Sequence, residues 1–418
     1  MKQDTTRSKC SLGVFALYAV LPLATALTAC SGEAVVMGED NAGSAPLPAT
    51  SRCLASTALT GDLVVEAQED LETLEGCQQI DGSLTISIQA ADLRPLYALT
   101  SVSTTLSIRG NTPSLDGLES LRTVGNLTIE GLLAGDLAPL GHLEFMTIGT
   151  LTLTSCPNLV DLDGLAELKG VRHLWLGCSA LETLAPLELP EQMADIWSFG
   201  SSLAQLTDLG VRELSGSLVI SNSQLSNLDA FSALKSVGGI EVRENARLEN
   251  MDATSGLGRA GRIVVIENPN ITRLPDYPEL QRLGELWITG NDRLAQWPEF
   301  PALYSWDLAA PPSPLIGRDP TIEIKDNPAL TSVTLRAPWL EASAVIISGN
   351  EALTQFEITE PRLGSLTVVD NAVLASAIIH EMDWVGVLDV AHNPLLDDSI
   401  FAAVRSLERR VEDNADVP

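Results

Sequence analysis

The chain has 418 residues, 45% of them apolar and only 4% aromatic, so it can bury a large core and that core must be aliphatic. A formal charge of −30 repels phosphate backbones and anionic lipid, which removes nucleic-acid binding from the expected functions. Length alone would predict two or three globular domains, a prior that internal repetition overrides.

At the N-terminus, Lys2, Arg7 and Lys9 precede an apolar run from Leu12 to Ala24 that is too short and wrongly flanked for a membrane span. The run leads to Leu27, Thr28, Ala29 and Cys30, which resembles the lipobox of bacterial lipoproteins. The resemblance implies a signal peptide over 1–29, a diacylglycerol on Cys30, and an anchor in the outer membrane of a Gram-negative bacterium, at the cell surface. Ser31, rather than Asp, follows the cysteine, as in outer-membrane lipoproteins of enterobacteria. Residues 30–52 lack periodicity and carry Gly, Pro and Ser, the composition of a flexible linker. Export permits disulfides. Setting aside Cys10 and Cys30, the chain holds Cys53, Cys77, Cys156 and Cys178. Four cysteines allow three pairings, and sequence order favours Cys53 with Cys77 and Cys156 with Cys178.

From Leu63 onward one unit recurs. Strand starts fall at Leu63, Leu84, Leu106, Leu127, Leu151, Leu174, Ile196, Leu218, Ile240, Ile263, Leu286, Ile322, Val345, Leu366 and Leu388. Successive starts lie 21 to 24 residues apart, apart from a 36-residue step between Leu286 and Ile322. Each start opens an apolar-x-apolar alternation, so two residues face inward and the one between faces out. One such unit cannot bury its own leucines, whereas a stack of them can. The predicted fold is a β-rich repeat solenoid of about 15 rungs, over 53–303 and again over 321–396. Between them, 304–320 is a Pro-rich insertion or one degenerate rung, since prolines 311, 312 and 314 exclude regular strand.

An asparagine follows most strands: Asn111, Asn222, Asn245, Asn268, Asn291, Asn327, Asn350, Asn371 and Asn393. A buried turn in each rung leaves backbone groups without partners, and a stacked Asn can both donate and accept along the stack. These residues are therefore expected to be structural. Cys156 and Cys178 take the same slot in adjacent rungs, at a spacing of about 5 Å that a disulfide can span. Two small buried thiols remain the other reading.

The phrase Leu-x-x-Leu-x-x-Val/Ile-x-Gly-x-Leu-x-Ile stands as LETLEGCQQIDGSLTI (71–86), LDGLESLRTVGNLTI (115–129) and LDAFSALKSVGGIEV (228–242). It resembles the receptor L-domain, a ligand-binding module that is also found in bacterial surface proteins and is related to leucine-rich repeats. The resemblance implies a right-handed β-solenoid closed at its N-terminal end by a disulfide-linked segment, with Cys53 and Cys77 where that bridge would sit. The later rungs, such as IEIKDNPALTSVTL (322–335), are similar to generic leucine-rich repeats. Over 397–418, Ile400, Val404, Leu407 and Val411 share one helical face, which predicts a capping helix over the open end.

No catalytic motif stands out. There is no Gly-x-Ser-x-Gly elbow and no phosphate loop, and His142, His173, His380 and His392 are scattered among rungs. Asp161 and Asp163 lack the rest of a calcium loop. Neither a metal nor a cofactor is expected. β-Solenoid polysaccharide enzymes need acids on neighbouring rungs, and the outward mid-strand column never places two together. That column does place Trp175 and Trp197 on consecutive strands, with Phe199 two residues further on. An exposed aromatic cluster in a chain with few aromatics marks a possible binding face for a sugar ring or an apolar protein patch. Ser198 is the awkward residue, because it would face inward, and a one-residue slip would bury Trp197 and Phe199 instead. The expected function is a non-enzymatic binding or adhesion module for a protein or glycan partner, touching the membrane only through its anchor. A purely structural envelope protein and a polysaccharide-active enzyme are the alternatives.

Overall fold

A computed structural model describes residues 52–414, except for 54–56, 146–148, 167, 185–186, 188, 204–205, 207, 307–320, 337–339, 360, 381 and 383. Cys30 and the expected linker therefore lie outside the described residues. Residues 48–418 form one compact unit, so the Pro-rich stretch does not divide the repeats into two bodies.

The fold is a parallel β-solenoid with almost no α-helix. Every expected strand start stands opposite the next. Leu63 pairs with Leu84, Leu84 with Leu106, Leu106 with Leu127, Leu127 with Leu151, and Leu151 with Leu174. The register continues through Ile196, Leu218, Ile240, Ile263 and Leu286. Leu286 then faces Ile322 directly; within the 36-residue step Ser305–Trp306 pairs with Arg282 and Leu283 in the same sheet, and 307–320 lie outside the described residues. Val345, Leu366 and Leu388 complete the column. Each of these leucines, isoleucines and valines beyond Leu63 is buried, and together they form one continuous aliphatic core. A short second row of strands, Ser332–Leu335, Gln355–Thr359 and Ser376–His380, runs alongside the later rungs.

Cys53 and Cys77 are disulfide-bonded, with their Cα atoms 5.1 Å apart, beside the short helix Gln68–Glu72. On a loop-entropy account, closing a segment of this length stabilises by about 3 kcal/mol. At the other end the expected helix is absent. Residues Asp398–Phe401 make a single 3-10 turn and Arg405–Glu412 form one more strand, parallel to Trp384–Ala391. A helix would have left the hydrogen-bonding edge of Trp384–Ala391 bare, and the strand pairs it. The helical face dissolves accordingly: Val404 is buried, while Leu407 is 82% exposed. Arg409 takes the position opposite the core residue Leu388 and donates to the carbonyls of Phe401 (3.2 Å) and Val404 (3.1 Å). No helix among the described residues is long and apolar enough to cross a membrane.

The asparagine ladder is real from Asn245 onward, and all its members are buried as far as Asn393. Asn245 Nδ2 donates to the carbonyl of Arg243 at 2.9 Å and to that of Ile220, one rung back, at 3.1 Å. The Oδ1 of Asn268 accepts from both the backbone N–H and Nδ2 of Asn245, each at 3.1 Å. The same pattern repeats through Asn291, Asn327, Asn350, Asn371 and Asn393. It ends on Asn414, which the sequence reading had placed in a helix.

Asn111 and Asn222 do not belong to the ladder. Both are exposed and adopt the left-handed conformation, φ 53° each, at the corner just before the buried slot. In the Leu106 rung an extra residue displaces the slot to Thr112, and in the Leu218 rung Ser223 fills it. Asn suits such a corner because its short polar side chain tolerates positive φ, and each also donates to an adjacent rung, Asn111 to Gln89 Oε1 (3.3 Å) and Asn222 to Glu244 Oε2 (2.9 Å). Replacing Asn291 by Ala would leave the carbonyls of Val265 and Thr289 without their donor and the amide of Asn268 without its acceptor. At roughly 1–3 kcal/mol for each orphaned group, urea unfolding should show a loss on the order of 3 kcal/mol or more. Asn111→Ala, at its exposed left-handed corner, should cost only about 1 kcal/mol, the penalty of a Cβ at positive φ, and Asn111→Gly should avoid that cost.

Candidate binding face

Strict register turns the outward side chains of successive strands into columns along the sheet. The central column reads Ser107, Thr128, Thr152, Trp175, Trp197, Val219, Glu241, Val264, Trp287 and Glu323. Trp175 and Trp197 stand directly opposite each other, and their rings stack with centroids 5.0 Å apart and planes 14° apart. That separation is close to the rung spacing of about 4.8 Å, so the backbone itself sets the stack. Phe199 meets Trp197 edge-on, at 5.9 Å and 86°. All three rings are half-buried.

Ser198 settles the register. It points into the core, 1% exposed, and its hydroxyl lies 3.1 Å from that of Ser201, which occupies the turn slot of the same rung. The inward serine is therefore hydrogen-bonded, and the aromatics stay outside. The indole N–H groups of Trp175 and Trp197 are covered and make no hydrogen bond, so ring carbon is what the pair offers to solvent.

Beside the stack, His173 Nδ1 lies 2.8 Å from Asp195 Oδ2. The other oxygen of Asp195 accepts from the amide of Ser217 at 2.7 Å, which a pairing irregularity between Leu214 and Ser217 has freed from the ladder. No family profile and no curated protein matches the chain.

Further along the face is a cluster that sequence reasoning missed. Arg262 is buried and reaches across to Glu241, Nε to Oε1 at 2.8 Å, and to the hydroxyl of Ser217 at 2.7 Å. Arg243 takes the other Glu241 oxygen at 3.1 Å. The route crosses columns, whereas the sequence survey compared acids only within one column. Its signal was Gly239: a Cβ there would stand 2.7 Å from Arg262 Nε, so only glycine lets the guanidinium pass. With both oxygens of Glu241 held by arginines, this carboxylate braces the sheet.

Cys156 and Cys178 do occupy neighbouring positions, but as free, buried thiols. Their mutual hydrogen bond, with burial, pushes the Cys178 thiol up. Among the described residues no group of three or more His, Cys, Asp or Glu side chains is placed to hold a metal ion.

Burial pushes the half-buried Glu285 carboxyl above its ordinary value of 4.5; nearby Arg262 offsets this in part and Glu241 adds to it. An acid whose folded-state value is raised is unpenalised while protonated in both states, and it costs stability once ionised. Stability should therefore fall as pH rises through and past the ordinary carboxylate range. Glu285→Gln should raise the melting temperature at neutral pH, with the gain vanishing below about pH 4. Thermal unfolding across pH checks this.

Proposed function

We propose that the protein is a cell-envelope lipoprotein, anchored through Cys30, whose solenoid serves as a non-catalytic binding or adhesion module for a protein or glycan partner. The observation that carries this reading is the stacked pair Trp175–Trp197 with Phe199 at its edge, half-exposed at the middle of a rigid parallel sheet. Aromatic carbon held in a fixed plane binds a ligand face at little conformational cost, because the side chains are already ordered. The paired groups around it, His173–Asp195 and Glu241–Arg262–Arg243, fix the sheet without supplying a free acid and base at one centre. The anchor rests on the basic, apolar and Leu-x-Ala-Cys succession at the N-terminus. The likeness of the repeat phrase to receptor L-domains supports a ligand-binding role over a purely architectural one.

Trp175→Ala combined with Trp197→Ala should abolish attachment to the partner surface while the protein stays folded. Since both rings are half-exposed, the loss of stability for each should fall below the roughly 3–5 kcal/mol of a fully buried Trp. Attachment and thermal unfolding measured on the same variant check both halves, and full attachment in a folded variant would remove this face from consideration. Cys30→Ser should leave the protein unprocessed or shift it to the soluble fraction. Membrane partition unchanged from the parent would place the anchor elsewhere.

A further inference from the structure

The two faces of the tryptophan stack are not equivalent. Beyond Trp197 the central column continues with Val219, which is buried, and Phe199 packs against the Trp197 edge. On the other side, Trp175 looks along the sheet toward Thr152, and past it Thr128 and Ser107. The column therefore steps down from an indole to three small hydroxyl-bearing residues, and the free face of Trp175 forms the riser of that step. Gly177, beside Trp175 at the end of its strand, adds no side chain to obstruct it.

The floor and sides are polar. Thr128, Thr150 and Thr152 are half-buried residues whose hydroxyls, among the described residues, make no hydrogen bond within the protein. Ser107, only 5% exposed, has a hydroxyl with no partner at all in the structure, at the far end of the floor. A buried hydroxyl left unpaired costs free energy that a ligand hydroxyl or a bound water would recover. Along the outer side run Arg109 and Glu130, 3.8 Å apart and exposed, and on the inner side Asn126.

We propose that this step is a saccharide subsite, in which a pyranose ring lays its C–H face on the free face of Trp175 while its hydroxyls bond to Thr128, Thr150 and Thr152. The inference deepens the binding role given above and rests on it. The chemistry favours a sugar over an apolar protein patch, because one flat aromatic wall over unpaired hydroxyls matches a ring that is apolar on its face and hydroxylated at its rim. The charge selects further. The rim pair Arg109–Glu130 cancels locally, but the net charge of −30 repels uronate-rich or sulfated glycans, which leaves neutral hexose and N-acetylhexosamine oligomers. Ser107, Thr128 and Thr152 lie on successive rungs, so the floor runs roughly 10 Å along the solenoid axis before meeting Trp175.

The test uses the full chain, titrated with neutral hexose and N-acetylhexosamine oligosaccharides and with a uronate oligosaccharide as the charged comparison. Intrinsic tryptophan fluorescence and calorimetry report binding. Neutral oligomers should bind and perturb the emission, the uronate should not, and Trp175→Ala should weaken binding at least tenfold. Thr152→Trp fills the step from an outward, half-exposed position, and it should block binding while leaving the melting temperature close to that of the parent. The proposal is overturned if no neutral oligosaccharide binds at millimolar concentration to the folded protein, or if Thr152→Trp binds as the parent does. Loss of surface attachment in the double tryptophan variant, without competition by any neutral sugar, would overturn the saccharide subsite and leave the binding face standing. Attachment that survives the double variant would remove both.

Discussion

Every turn of this chain must bury a corner of backbone, and the way that corner is satisfied governs the rest of the structure. From Asn268 to Asn393 one side chain per rung closes the problem, donating to two carbonyls and accepting from the neighbouring rung's amide and amide side chain. The cost of a stray buried carbonyl or amide is what makes the arrangement obligatory. It also forces consecutive rungs to match to within a hydrogen-bond length. Because the match holds, the sheet keeps register across insertions such as the one between Leu286 and Ile322.

Strict register has a second effect on the opposite surface. Side chains that lie far apart in sequence become neighbours at rung spacing, and their identity down a column decides what the surface is. Where the column holds Trp175 and Trp197 the result is a ring stack, and where it holds Ser107, Thr128 and Thr152 it is a floor of hydroxyls. Cross-column contacts then lock the face, as Arg262 does by passing over Gly239 to reach Glu241. The candidate site is thus written in residues about 22 positions apart, the repeat length, rather than in any local motif.

The parts legible from sequence were those set by period. Strand positions, inward and outward faces and the Trp175–Trp197 juxtaposition all follow from a repeat of constant length, while the Cys53–Cys77 bridge follows the order of the cysteines along the chain. What escaped was set by one-residue offsets and by competition between periods. Asn111 and Asn222 read as ladder members because their spacing from the strand is nearly right, but a single residue separates the left-handed corner from the buried slot. Residues 397–414 satisfied a helical period, yet the unpaired edge of Trp384–Ala391 claimed them as strand and put Asn414 into the ladder. The Glu241–Arg262 pair stayed hidden because it joins different columns, which no single-column reading of the sequence inspects.

The hydrogen-bonded ladder stops short of the N-terminal half. Before Asn245 the same slot passes through Ser223, Ser201, Cys178, Cys156, Leu132 and Thr112, residues that cannot relay amide to amide. The solenoid thus has two grades of lengthwise bonding: a C-terminal half laced by a continuous amide chain, and an N-terminal half held by apolar contact, strand pairing and separate side-chain bonds such as His173–Asp195, with a covalent clasp near its start. The tryptophan stack sits in the unlaced half. Parting two laced rungs breaks the amide relay as well as the strand pairing, whereas parting the rungs of Trp175 and Trp197 breaks no such relay.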